Sequence, residues 1–132
     1  MRLSSLALCA VLLALGVRAQ PNDAKAAALS WLALIDHGAY AESWAKAGSL
    51  FHSRGAATDW TGKIAAARRP LGAAVTRFLA RQTAAATLPG APGGIYEILL
   101  FNTHFARKAG AVETVVLARE PAGWKVDGYF IR

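Results

Sequence analysis

Cysteine is almost absent from this sequence: Cys9 is the only one among 132 residues. A lone thiol has no intrachain partner for a disulfide and supplies no multi-thiolate metal site. No apolar run reaches the roughly 20 residues needed to cross a bilayer; the longest, Leu6 to Val17, stops well short. Acidic residues are scarce too, 8 against 15 Lys and Arg, which leaves a formal charge of +7. Reaction fingerprints are missing as well. There is no GxSxG elbow, P-loop, glycine-rich dinucleotide turn or HExxH spacing. His37, His52 and His104 lie on three separate segments, so neither a metal nor any other cofactor is expected.

The first residues read as an export signal. Met1-Arg2 gives a positive start, Leu6 to Val17 an apolar stretch, and Val17-Arg18-Ala19 small residues at the cleavage positions. Cleavage is expected after Ala19, leaving a single domain over residues 20–132 with no stable membrane insertion. Cys9 would leave with the signal. An exported chain without disulfides fits a bacterial periplasmic or secreted location better than a eukaryotic extracellular one. The positive charge is scattered, with Arg68-Arg69 and Arg107-Lys108 the only adjacent pairs after the signal. A nucleic-acid footprint clusters on one face, so no nucleic-acid partner is expected.

From Asp23, a candidate N-cap, Ala24 to His37 is predicted helical, with Leu29, Leu32 and Ile35 at helical spacing and Trp31 beside them. Gly38 can adopt the left-handed cap that stops it. A second helix is predicted from Ala39 to Arg54, with Tyr40, Trp44, Ala47 and Phe51 on one face. That stripe puts Trp44 in the core, where truncation to Ala would cost roughly 3–5 kcal/mol. A third helix runs from about Thr58 to just before Pro70 and carries Trp60, Ile64 and Ala67. After Gly72 the period changes. Ala73 to Leu88, Ile95 to Ala106, Ala111 to Arg119 and Trp124 to Arg132 read as strands. The turns between them are Leu88 to Gly94, Arg107-Lys108-Ala109-Gly110 and Glu120-Pro121-Ala122-Gly123. Short turns force antiparallel neighbours. The expected class is α+β, three N-terminal helices packed on a four-stranded antiparallel meander.

The motifs WLALIDHGAYAESW (Trp31 to Trp44), RRPLG (Arg68 to Gly72), LPGAPGG (Leu88 to Gly94), THF (Thr103 to Phe105), ETV (Glu113 to Val115) and WKVDGYFI (Trp124 to Ile131) together resemble the bacterial domain-of-unknown-function family 4019. The resemblance covers nearly all of the chain after the signal. It implies a small exported domain related to the nuclear-transport-factor-2-like, or cystatin-like, cone fold. That fold hosts dehydratases, isomerases and binding modules alike, so it does not decide function. The family brings no established activity. One departure is Gly93, where the resemblance leads us to expect an acidic residue.

Candidate chemistry rests on few side chains. Asp36, at the junction of the first two predicted helices with His37 and Tyr40, reads either as a pocket acid or base or as an acceptor for backbone donors opening the second helix. His104 shares a strand face with Tyr96, Ile98, Leu100 and Asn102, whereas Thr103 shares the other with Leu99, Phe101 and Phe105. A proton-transfer enzyme of the lyase or isomerase type would use Asp36, Tyr40 or His104. Arg69 and Arg77 either clamp an anionic ligand or pair with Glu97 or Glu113 across the sheet. Trp31, Tyr40, Trp44, Phe51, Trp60, Phe101 and Tyr129 form either the helix–sheet core or a partly open pocket. The leading expectation is a non-catalytic envelope module that binds a small apolar ligand, peptide or partner protein through Tyr40, Trp44, Arg77, Phe101, Thr103 and Tyr129.

Overall fold

The computed structural model describes residues 21–132; the expected export signal, with Cys9, falls outside the described residues. Helix α1 (Pro21–Asp36) turns one stripe inward, Ala24, Ala28, Trp31, Leu32 and Ile35, all buried. Leu29, expected on that stripe, is exposed. Asp23 sits within the first turn of α1 instead of preceding it. Gly38, at φ +75°, ends the helix as expected. Its N–H reaches Ile35 O and that of Ala39 reaches Leu34 O, the paired closing bonds of a left-handed glycine cap.

The predicted second helix is two helices, α2 (Tyr40–Ala45) and α3 (Ser49–Ser53). The break falls at Gly48, whose N–H donates to Val126 O at 2.8 Å. A Cβ at Gly48 would overlap the carboxylates of Asp127 and Glu120. Those carboxylates open α3: Glu120 accepts from the Ser49 N–H at 3.0 Å and its hydroxyl at 2.7 Å, and Asp127 from the Phe51 N–H at 3.2 Å. Strand side chains thus supply a cap that the helix's own sequence lacks. Helix α4 (Ala57–Arg68) buries Ile64 and Arg68 and passes into a 3₁₀ turn over Arg69–Leu71, so Pro70 falls in that turn.

Strands β1 (Ala74–Ala85), β2 (Tyr96–Phe105), β3 (Lys108–Glu120) and β4 (Gly123–Ile131) form one antiparallel meander in the order β1-β2-β3-β4. The chain is α+β, helices on an open four-stranded sheet. The β2–β3 turn is tighter than expected: Lys108 to Gly110 already belong to β3. On the inner face Leu99, Phe101, Val115, Leu117, Val126 and Tyr129 pack against Ala28, Trp31, Leu32, Ile35 and Ile64. Trp31 contacts Phe51, Trp60 and Tyr129 at ring-centroid distances of 6.0, 5.9 and 5.4 Å. Among the described residues no helix covers the outer face, and Phe78 and Phe130 stand exposed there.

Candidate functional site

Between the end of α1, the end of α4 and the inner sheet face lies a polar cluster. Glu113 on β3 is fully buried. Its carboxylate accepts from Arg77 Nε at 2.7 Å, from Thr103 Oγ1 at 2.5 Å and from the Tyr129 hydroxyl. Arg77 also forks onto Asp36, with Nη1 to Oδ2 at 2.8 Å and Nη2 to Oδ1 at 3.0 Å. Arg68 Nη2 reaches the same Oδ1 at 2.8 Å. Two carboxylates and two guanidiniums therefore neutralise one another in a network that runs from buried Glu113 and Arg68 through partly covered Arg77 to Asp36 at the surface, and the buried charges are paired as their desolvation requires. Arg68 has no acceptor at Nε or Nη1, but its guanidinium carbon sits 4.7 Å from the Phe105 ring centroid, an attractive placement for a desolvated cation.

The protonation states follow from this packing. Burial pushes the Asp36 carboxyl up, but hydrogen bonds and charge from Arg77 and Arg68 outweigh it and hold it below the usual range. For Arg77 burial works against the cation, and the bonds to Asp36 and Glu113 reverse that and raise its pKa. The Tyr129 hydroxyl is raised, first by burial and then by the adjacent Glu113 charge.

The sequence-level candidates are divided among separate places. Asp36 binds two arginines, and α2 begins without any side-chain cap, so the helix-opening role is not the one it plays. Arg77 pairs with Glu113, one of its two anticipated partners. Arg69 engages through its backbone, its carbonyl accepting from Arg107 and its N–H donating to Ala65 O; its neighbour Arg68 is the arginine that turns inward. Thr103, Phe101 and Tyr129 face the core. Tyr40 packs against the core's margin, and its carbonyl accepts from the Ser43 hydroxyl at 2.6 Å. His104 is exposed on the outer face, opposite Thr76, away from Asp36. Trp44 is only half-buried; its Nε1 reaches Gly55 O at 3.3 Å and its ring lies 4.3 Å from that of His52.

Three residues carry more than the sequence suggested. Glu113 alternates with Ala111, Val115 and Leu117 on an inward face, and a charge at that parity was the available signal. Arg68 lies four residues beyond Ile64, on the buried side of α4. Ser43, fully buried, accepts the Trp31 indole N–H at its carbonyl (2.8 Å) and the Trp60 indole N–H at its hydroxyl (2.9 Å). Only the assembled fold marks that position.

A cleft of about 270 Å³ runs beside β4, lined by Trp44, Phe51, Trp60 and the strand residues 127–130, with Arg54, Asp59 and Lys63 at its margin. It meets the buried cluster only at Tyr129. Asp127, at its floor, is raised by burial, which the Phe51 N–H opposes and the Glu120 charge reinforces. Among the described residues no group of three or more His, Cys, Asp or Glu side chains is placed to hold a metal ion. No described helix is long and apolar enough to cross a membrane. The family described as protein of unknown function (DUF4019) matches residues 27–129. No curated protein and no solved structure matches the chain.

Proposed function

The chain belongs to the DUF4019 family, whose description assigns no activity, and from that premise we propose a non-catalytic binding module whose cleft beside β4 holds a small apolar ligand, peptide or partner segment. One contrast carries this reading. The charges of Asp36, Arg68, Arg77 and Glu113 are engaged with one another, whereas Trp44, Phe51 and Trp60 are only partly covered around an open cleft. Partly covered aromatic rings flanked by placed polar groups, here Arg54, Asp59, Lys63 and Asp127, are the usual lining of a ligand site. The alternative, a cofactor-free lyase or isomerase, needs Asp36, Tyr40 or His104 around one cavity; with Asp36 bound by Arg68 and Arg77 and His104 on the outer face, that reading gains no support.

The direct test is titration with N-acetylphenylalaninamide, followed by the indole N–H signals of the four tryptophans. Those of Trp44 and Trp60 are expected to shift and saturate, and Trp44→Ala to abolish the effect with a stability loss below about 2 kcal/mol, since Trp44 is not core. Shifts spread evenly over all the indoles would sink the proposal. The envelope location is a separate proposal: the exported form should begin near Gln20, and recovery of intact Met1 in the membrane fraction would refute it.

A further inference from the structure

β4 ends the sheet, so among the described residues one of its edges has no strand beside it. Which backbone groups face that edge follows from the ladder. Val112 N–H reaches Arg132 O at 2.7 Å and Arg132 N–H reaches Val112 O at 3.1 Å. Such doubly bonded pairs alternate along an antiparallel ladder with pairs whose groups point away. Phe130 opposite Thr114 and Gly128 opposite Val116 therefore face β3, while Tyr129 and Ile131 direct N–H and C=O outward. The chain already uses this edge upstream, where Gly48 donates to Val126 O at 2.8 Å. Beyond Gly48 no backbone group among the described residues takes over at Tyr129 or Ile131.

The cleft lies along this same stretch of edge. Four consecutive β4 residues, Asp127 to Phe130, line it, although neighbours in a strand point to opposite faces; a groove touching all of them runs along the edge. Trp44, Phe51 and Trp60 form its far wall, and Phe130 stands 57% exposed at its lip. The margin holds Arg54 and Lys63, neither of which makes an ion pair among the described residues. Two carboxylates share the cleft: Asp59 lies in the first turn of α4, and Asp127 opens α3 and feels the charge of Arg54, so Lys63 is the cation turned least toward a partner of its own.

We infer that the free edge of β4 accepts an extended peptide as a fifth strand, with one aromatic or large aliphatic side chain in the cleft and an acidic residue against Arg54 and Lys63. The inference rests on the binding-module reading and specifies its ligand. Main-chain bonds to Tyr129 and Ile131 would supply affinity, and the cleft and its cations selectivity, the division found where peptides add to sheets.

The probe is acetyl-Glu-Val-Phe-Val-Glu-amide, added to the ¹⁵N-labelled chain. The amides of Tyr129 and Ile131 are expected to shift and to exchange more slowly with solvent. N-methylating the probe amide that faces the edge should weaken binding roughly 3–10-fold, the loss of one hydrogen bond. Lys63→Glu, an exposed change, should weaken this probe and strengthen its Lys-flanked counterpart. If N-acetylphenylalaninamide binds as tightly as the peptide and N-methylation has no effect, strand addition is overturned and the cleft reading survives. If neither ligand shifts the cleft, both fall. Shifts at Tyr129 and Ile131 that grow with protein concentration and compete with the peptide would make a second copy the occupant and overturn the peptide assignment.

Discussion

At Glu113 the carboxylate has exchanged water for donors from Arg77, Thr103 and Tyr129. Removing one member of a buried ionic group leaves its partner charged and unsatisfied, which costs more than the intact pair contributes. Glu113→Ala is expected to lower stability by about 3–5 kcal/mol in chemical denaturation. A loss under about 1 kcal/mol would mean that water reaches Arg77 freely. Asp127 is the opposite case. Its folded pKa is raised by burial and by Glu120, so its contribution is present below the unfolded pKa of about 4 and is lost as pH rises through the folded value. Asp127→Asn keeps an acceptor for the Phe51 N–H and removes the buried charge. The thermal midpoint of this variant should exceed that of the parent at neutral pH, with the advantage gone below about pH 4. Equal midpoints at both pH values would show that Asp127 is better hydrated than its packing implies.

Among the elements, the α2–α3 break shows how a tertiary contact overrides a local pattern. Tyr40, Trp44, Ala47 and Phe51 have helical spacing, yet the chain bends at Gly48 because Asp127 and Glu120 occupy the place of a side chain there. Two short helices, the second capped by strand carboxylates, replace one amphipathic helix. The stripe is divided in consequence: Phe51 stays beside Trp31 and Trp60, and Trp44 moves out to the cleft. Gly48→Ala should therefore destabilise by about 1–3 kcal/mol, the usual cost of overpacking, and should shift the Ser49 and Phe51 amide signals. A variant as stable as the parent would show that the two carboxylates move aside at little cost.

For the whole molecule, pH sets limits through groups on opposite sides of neutrality. Asp36 is held below its usual range by the arginines, so its contribution is present above about pH 4 and lost as pH falls through its folded value. The folded pKa of Tyr129 is raised. Its contribution is thus intact below the unfolded value of about 10 and declines as pH rises beyond it. An alkaline ultraviolet titration of tyrosinate should show Tyr129 ionising only as the chain unfolds, and Tyr129→Phe should remove that late step. Early ionisation of all three tyrosines would contradict the burial of Tyr129 beside Glu113.

Periodicity and turn chemistry made the architecture readable from residues alone. The stop at Gly38, the change of period after Gly72 and the existence of short turns between the strands are local consequences of backbone freedom and side-chain alternation; the β2–β3 turn, expected at Arg107 to Gly110, falls at Ala106-Arg107 because Lys108 to Gly110 belong to β3. The inward parity of Phe101, Thr103 and Phe105 was legible in the same way. Which charges meet was less so. Arg77 and Glu113 were in view as partners, but Arg68 and Asp36 join them only because the ends of α1 and α4 converge over the sheet, 32 residues apart in sequence. The aromatic residues of the cleft were in view as core or open pocket, Trp44, Phe51, Trp60 and Tyr129 among them, but its place beside β4 and the free edge at Tyr129 and Ile131 were not. Strand alternation reports which face a residue takes; which edge stays open depends on where α3 stops covering β4, and Gly48 against Asp127 decides that through space. Local pattern thus determined the elements and their faces, while packing between distant segments decided the charge network, the helix break and the exposed edge, because those energies exist only once the segments touch.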